Sequence, residues 1–336
     1  MSARQSKKCL VALLALCAGC ATAPLHTPVA PARPLPAELA AYYAYPHGPT
    51  HVTTRLIKEQ ARFREWLVQF PLSVPEGFTP TEPVVEFEWF ESRRSGRQPA
   101  ILFNPILGGD YPLERGICRF FARQGFHVAL VHRKTLKIAP EHPVEHLETL
   151  LRQGVLRIRQ VVDWMAAQES VDASRMGSFG ISMGGMASVM AAAVEPRLRA
   201  HVVALAGGTI PDVLLTSHDR LLTKPRTRYL AAHQMDAKTL EALLRQHVQT
   251  DPVRLAPYVD LRHTLLFIAL ADRTIGTANA QRLRRALRYP RTVFLPTGHY
   301  SSYLLLPYLR YEGLRFLRRQ LAPRVAPDGS GPPQTP

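Results

Sequence analysis

The residues with the clearest chemical potential lie in Gly180-Ile181-Ser182-Met183-Gly184, a G-x-S-x-G pentapeptide within Met176-Gly-Ser-Phe-Gly-Ile-Ser-Met-Gly-Gly-Met186. A serine hydroxyl is a poor nucleophile at neutral pH. It attacks a carbonyl only when a base takes its proton and a third group orients that base. The flanks suit a passage from strand through turn to helix: residues 175–181 are mostly apolar or small, and residues 186–194 are rich in Ala and Met. Such a turn lifts Ser182 off the end of a strand. Side chains at Gly180 or Gly184 would crowd the crossing of strand and helix. Without those flanks, Ser182 would be an ordinary serine in a Gly-rich turn.

The longer run Val171-Asp-Ala-Ser-Arg-Met-Gly-Ser-Phe-Gly-Ile-Ser-Met-Gly-Gly resembles the nucleophile elbow of the α/β-hydrolase superfamily, in its esterase, dienelactone-hydrolase-like and peptidase-like branches. The resemblance extends over about residues 80–320. It implies the chain order nucleophile, acid, base. Of thirteen histidines, only His299 lies beyond residue 263, in Leu295-Pro-Thr-Gly-His-Tyr300, on the loop where this superfamily carries its base. Among the acids between Ser182 and His299, Asp272 ends an apolar strand where the superfamily carries its triad acid. Asp260 is the reserve, and most of the others read as helix caps. The family's frequent Gly-rich turn before this acid is here Ala269-Leu-Ala-Asp272.

The resemblance also implies two backbone donors for a tetrahedral oxyanion: Met183 N–H and one from the loop Pro105-Ile-Leu-Gly-Gly-Asp-Tyr111, where Leu107 is favoured over Ile106. The His-Gly-Gly common there becomes Leu107-Gly108-Gly109, which also reads as a plain flexible turn. His132-Arg133-Lys134 follows a strand and either touches substrate or, more plainly, forms a solvated turn. Cys118 reads as a small core residue.

The elements that must position these groups alternate. Strands are expected at residues 100–104, 126–131, 175–181, 201–205, 264–270 and 292–295. Helices are expected at 113–123, 146–168, 186–194, 277–287 and 300–321. That alternation implies a mostly parallel sheet with helices on both faces. Residues 84–91 read as a half-buried antiparallel strand. Residues 51–70 read as a helix burying Leu56, Phe63, Trp66, Leu67 and Phe70. Residues 207–262 interrupt the alternation as a helical lid insertion. The lid is basic through His218, Arg220, Lys224, Arg226, Arg228 and His233. This is a solvated cap surface or, on the sharper reading, a mouth that favours anionic substrates.

The 336 residues carry 42 Lys and Arg against 26 Asp and Glu, a net charge of +16. The bases are spread along the chain, which argues against a nucleic-acid partner. Residues 1–20 read as a lipoprotein-type signal peptide: a basic head at Arg4, Lys7 and Lys8, a ten-residue apolar core, then Leu16-Cys-Ala-Gly-Cys20. This end resembles a bacterial lipobox with Cys20 as the lipidated residue and Cys17 as its departure from pattern; ordinary secretion with cleavage near Ala23 is the alternative. Removing the three basic residues gives +16 − 3 = +13 for the mature chain. Residues 21–50 read as a Pro-rich tether, 51–321 as the hydrolase domain and 322–336 as a disordered tail. The body has one cysteine, no C-x-x-C pair and no H-E-x-x-H, so no metal or cofactor is implied.

Together these features lead us to expect an exported serine hydrolase, lipid-anchored to a bacterial membrane (the outer membrane in a Gram-negative cell). It would cleave a carboxylic ester of a small acyl substrate. Peptidase, acyltransferase and inactive binding module are the alternatives.

Overall fold

The computed structural model describes residues 22–23, 32–108, 110–133 and 138–323. The apolar runs pair into one ten-stranded sheet: β1 (Thr22–Ala23), β2 (Thr53–Glu59), β3 (Phe63–Pro71), β4 (Val84–Ser92), β5 (Gln98–Asn104), β6 (His127–Val131), β7 (Val171–Ile181), β8 (Leu198–Ala204), β9 (Thr264–Ala269) and β10 (Arg291–Leu295). Their order across the sheet is β1-β10-β9-β8-β7-β5-β6-β4-β3-β2. From β6 through β10 all pairings are parallel, while β2, β3, β4 and the dipeptide β1 run antiparallel to their neighbours. The central strands β6 and β9 are buried along their whole length. Parallel strands covered on both faces require such continuous apolar runs.

Two helical layers cover the sheet. On one face lie α3 (Glu145–Ala166), α4 (Met183–Val194) and α9 (Thr277–Ala286), whose Leu151, Val155, Met190 and Leu283 pack on Phe87 and Leu102. On the other lie α2 (Pro112–Arg123) and α10 (Leu306–Gln320), whose Ile117, Phe121 and Leu317 pack on Phe103, Phe179 and Phe267. Each such side chain removed from water contributes about 1.5–3 kcal/mol. Between β8 and β9 the chain forms α5 (Ile210–Thr216), α6 (Arg220–Ala232), α7 (Ala237–His247) and the short α8 (Pro252–Leu255). Leu240 and Leu244 of α7 are buried, as its amphipathic pattern requires.

Two expectations are corrected. Residues 51–70 form a hairpin, β2 and β3, and not a helix. Their apolar spacing mimics a helical face, but β3 gains a full antiparallel ladder against β4, from Phe63↔Ser92 to Pro71↔Val84. Phe63, Val68 and Phe70 are buried, whereas Leu56 on the outer strand is exposed. Nor are residues 32–50 a free tether. They include α1 (Ala37–Tyr42), and Tyr43 is fully buried with its hydroxyl on Thr250 Oγ1 at 3.0 Å. Tyr42 donates to Glu148 at 2.8 Å and Tyr45 to Asp163 at 2.7 Å, so two tyrosines strap this segment to α3 and Tyr43 ties it to Thr250. Residues 1–20 with Cys20, residues 24–31 and residues 324–336 lie outside the described residues.

Candidate active site

Ser182 leaves the end of β7 and caps α4 with φ 57° and ψ −121°. A non-glycine residue holds such a backbone only when its surroundings impose it. Here Ser182 N–H donates to Ala204 O of β8 at 2.8 Å, and α4 begins at the next residue. The two glycines of the motif have distinct reasons. A Cβ on Gly180 would sit 2.0 Å from Gly184 O, and one on Gly184 would sit 2.0 Å from Asn104 O at the end of β5. Both clashes are with backbone, which cannot turn aside. Gly184→Ala is therefore expected to cost ~3 kcal/mol or more. A thermal melt would read this as a large fall in Tm or loss of soluble protein; an unchanged melt would mean that the strand–helix crossing has slack.

His299 arrives from the loop after β10. Its Nε2 lies 3.1 Å from Ser182 Oγ and its Nδ1 lies 2.7 Å from Asp272 Oδ2. Asp272, just past β9, accepts Thr274 N–H and Ile275 N–H on Oδ1, both at 2.9 Å. With its other oxygen on the imidazole, the carboxylate is fully engaged. Neutral His299 then carries its proton on Nδ1 and offers the Nε2 lone pair to the serine hydroxyl. All three residues are less than a tenth exposed. The structure thus brings Ser182, Asp272 and His299 together. It leaves Asp260 elsewhere, capping a 3-10 turn and paired with Arg262.

Met183 N–H is the first of α4 and has no acceptor within the helix. Of the two loop donors considered, Ile106 N–H is engaged by Glu114 Oε1 at 3.1 Å. Leu107 lines a cavity of about 110 Å³ together with Ser182, Met183 and His299. Gly109 lies outside the described residues. The lid segment contributes Ile210, Val213, Leu214, Asp219, Leu221 and Leu222 to this cavity and none of its basic residues. The expectation of a basic mouth is thereby corrected: the lid's inner wall is apolar with one acid. That acid, Asp219, accepts Tyr300 O–H, Thr274 O–H at 3.1 Å and Leu221 N–H at 2.9 Å. Burial would raise its pKa, but these bonds and the neighbouring His299 hold it below the usual carboxylate range.

His132 and Arg133 do not form a solvated turn. His132 bridges Glu86 (2.8 Å) and Glu88 (3.0 Å). Burial opposes a charge on His132, yet the bonds to Glu88 and Glu86 outweigh it and raise its pKa. Arg133 Nη2 donates to Pro105 O and Ile106 O, both at 2.7 Å, and so fixes the loop that carries Leu107. Lys134 lies outside the described residues. Cys118 is fully buried, which pushes its thiol pKa well up and leaves it chemically inert. Sequence reasoning did not single out Glu114 and gave Asp219 only a capping role. Their partners are distant in the chain, and an acid in a first helical turn reads as a helix start.

The family model described as "Prolyl oligopeptidase family" matches residues 119–298, a span that contains Ser182 and Asp272 and ends one residue before His299. No curated protein sequence matches. Acetyl xylan esterase 1 from Thermoanaerobacterium sp. JW/SL YS485 superposes with a TM-score of 0.62 at 15% identity, over 84% of this chain and 95% of that one. An acetyl xylan esterase from Paenibacillus sp. R4 gives 0.64 at 16% identity, over 85% and 100%. The Pyrococcus horikoshii acylaminoacyl peptidase gives 0.55 at 14% identity, over 78% of this chain but 42% of that one. These likenesses establish an α/β-hydrolase fold, the expected class: a mostly parallel sheet with helices on both faces. With a match that spans more than half of its length, the chain is a serine hydrolase that belongs to the prolyl oligopeptidase family.

Proposed function

We propose that this chain is an esterase that cleaves short-chain carboxylic esters through an acyl-enzyme on Ser182. The observation that carries the reading is the pair of contacts at His299, 3.1 Å to Ser182 Oγ and 2.7 Å to Asp272, beside an apolar cavity of about 110 Å³. Ser182 attacks the acyl carbonyl while His299 takes its proton, then returns it to the departing alcohol. Asp272 keeps the Nδ1–H tautomer and stabilises the imidazolium. Met183 N–H and Leu107 N–H receive the oxyanion, a role in which each donor is worth about 10²–10³ in turnover. Water, activated by the same histidine, releases the acid.

Ester cleavage is preferred over peptide cleavage because the cavity suits a small acyl group. The two esterases above are covered almost end to end, whereas the peptidase has more than half its length outside the match. Fold likeness alone names no substrate. The test is labelling of the purified protein by a fluorophosphonate, followed by p-nitrophenyl esters of rising chain length. Labelling with activity highest at the short end supports the reading. A folded protein that neither labels nor turns over would move the assignment to a binding module.

We further propose export and lipidation at Cys20, supported by the basic head, apolar core and Leu16-Cys-Ala-Gly-Cys20 end of the first twenty residues. Among the described residues no helix is long and apolar enough to cross a membrane. Labelled palmitate that enters the wild type but not Cys20→Ala would support the anchor; equal incorporation would sink it.

A further inference from the structure

Met183 has a second neighbourhood. One side of it faces the cavity that holds Ser182; the other helps to wall a separate cavity of about 60 Å³. That second space is lined by Pro105, Leu151, Ile158 and Met190 and by two guanidiniums, Arg133 and Arg157. Arg157 is 3% exposed; its Nη2 donates to Glu82 at 2.6 Å, and its Nε is buried without an acceptor. Among the described residues, Arg133 donates to the carbonyls of Pro105 and Ile106, both from one nitrogen. Among the described residues no carboxylate lies within ion-pair distance of it. Burial lowers its pKa to about 10, so it remains cationic at neutral pH. The cavity thus sets two cations against one carboxylate in apolar walls. Arg133 is half-buried, Glu114 and Glu82 act on it only from beyond ion-pair distance, and its planar guanidinium fork matches a carboxylate. Asp219, in the cavity that holds Ser182, shows the contrast, since it accepts from Tyr300, Thr274 and Leu221.

We propose that the cavity behind Met183 receives the far end of the acyl group, and that this end carries a carboxylate held by Arg133. The proposal rests on the esterase reading above and names its substrate class: monoesters of short dicarboxylic acids. The ester carbonyl sits at Ser182, and the chain passes the Met183 side chain, whose unbranched thioether adapts readily to a narrow passage. The distal carboxylate meets the edge of the Arg133 fork that points away from Pro105 and Ile106. Water adds across the ester bond, so the products are an alcohol and a short dicarboxylate. Anion preference then comes from beneath the nucleophile and not from the basic outer surface of the lid.

Monomethyl glutarate and methyl glutaramate have nearly the same shape and differ in charge, so their kcat/KM ratio reads the proposal directly. The wild type is expected to favour the acid by about tenfold or more, the scale of a hydrogen bond to a charged group. Arg133→Gln should abolish that preference, and Arg133→Lys should retain part of it. Because Arg133 also supports the loop of Leu107, both variants will lose some activity on p-nitrophenyl acetate; the ratio is the informative quantity. A wild type indifferent to the charge, or an equal loss on acid and amide in Arg133→Gln, would overturn the anion clamp while leaving the esterase reading intact. Failure of the esterase reading shows separately, as absent turnover of p-nitrophenyl acetate and absent fluorophosphonate labelling. In that event, glutarate raising the Tm of Ser182→Ala but not of Ser182→Ala/Arg133→Gln still supports the anion site, and no shift in either overturns it.

Discussion

Ser182→Ala should lower kcat by about 10⁶-fold and abolish fluorophosphonate labelling, the scale seen when the nucleophile of a serine triad is removed. The backbone, not the hydroxyl, makes the fold-supporting contacts at this position: Ser182 N–H holds Ala204 O, and Met186 N–H holds Ser182 O. Alanine keeps both, so the variant should fold and melt like the wild type. It also retains the strained φ of 57°, which neither residue favours. A variant that keeps more than about a hundredth of wild-type turnover would place the nucleophile elsewhere, since residual activity from the oxyanion donors alone falls far below that.

Asp272→Asn should cost about 10⁴ in kcat, for a reason written into the site. Oδ1 accepts two backbone N–H groups, from Thr274 and Ile275, so in the variant the amide oxygen must take that place. The amide NH₂ then faces His299 Nδ1, which has to become the acceptor. The imidazole proton moves to Nε2, and Ser182 loses its base while every heavy atom stays near its position. Rate assays with a parallel thermal melt check this. A fall of less than about tenfold with an intact fold would show that Asp272 does not set the tautomer.

The triad positions could be read from the sequence because each is marked locally. Ser182 has glycines enforced by backbone clashes at 2.0 Å, and Asp272 and His299 each follow an apolar strand of a parallel sheet. The hairpin of β2 and β3 could not. Leu56, Phe63, Trp66, Leu67 and Phe70 fall at helical intervals, and only pairing with β4 decides that Phe63 and Phe70 go inward while Leu56 stays outside. Arg133 was equally hidden. A basic tripeptide after a strand gives no sign that one member will turn under a loop nearly thirty residues earlier, at Pro105 and Ile106, while its neighbour bridges Glu86 and Glu88. The lid misled in the opposite direction: its bases are conspicuous in the sequence, yet the cavity takes its apolar residues and Asp219. Tertiary partners, not local composition, select which charges matter.

An open sheet has two rims, and a bare rim invites another chain to extend it. At one rim, β2 is exposed throughout, but its pairing with β3 slips between Leu56 and Lys58, and Arg55 and Lys58 stud the strand. A kinked, cationic edge is a poor template for a further strand. At the other rim, β10 carries the dipeptide Thr22–Ala23 across Val293 and Thr292. That short pairing covers the middle of the rim, and removing it would open the backbone of Thr292 and Val293 to pairing with another chain.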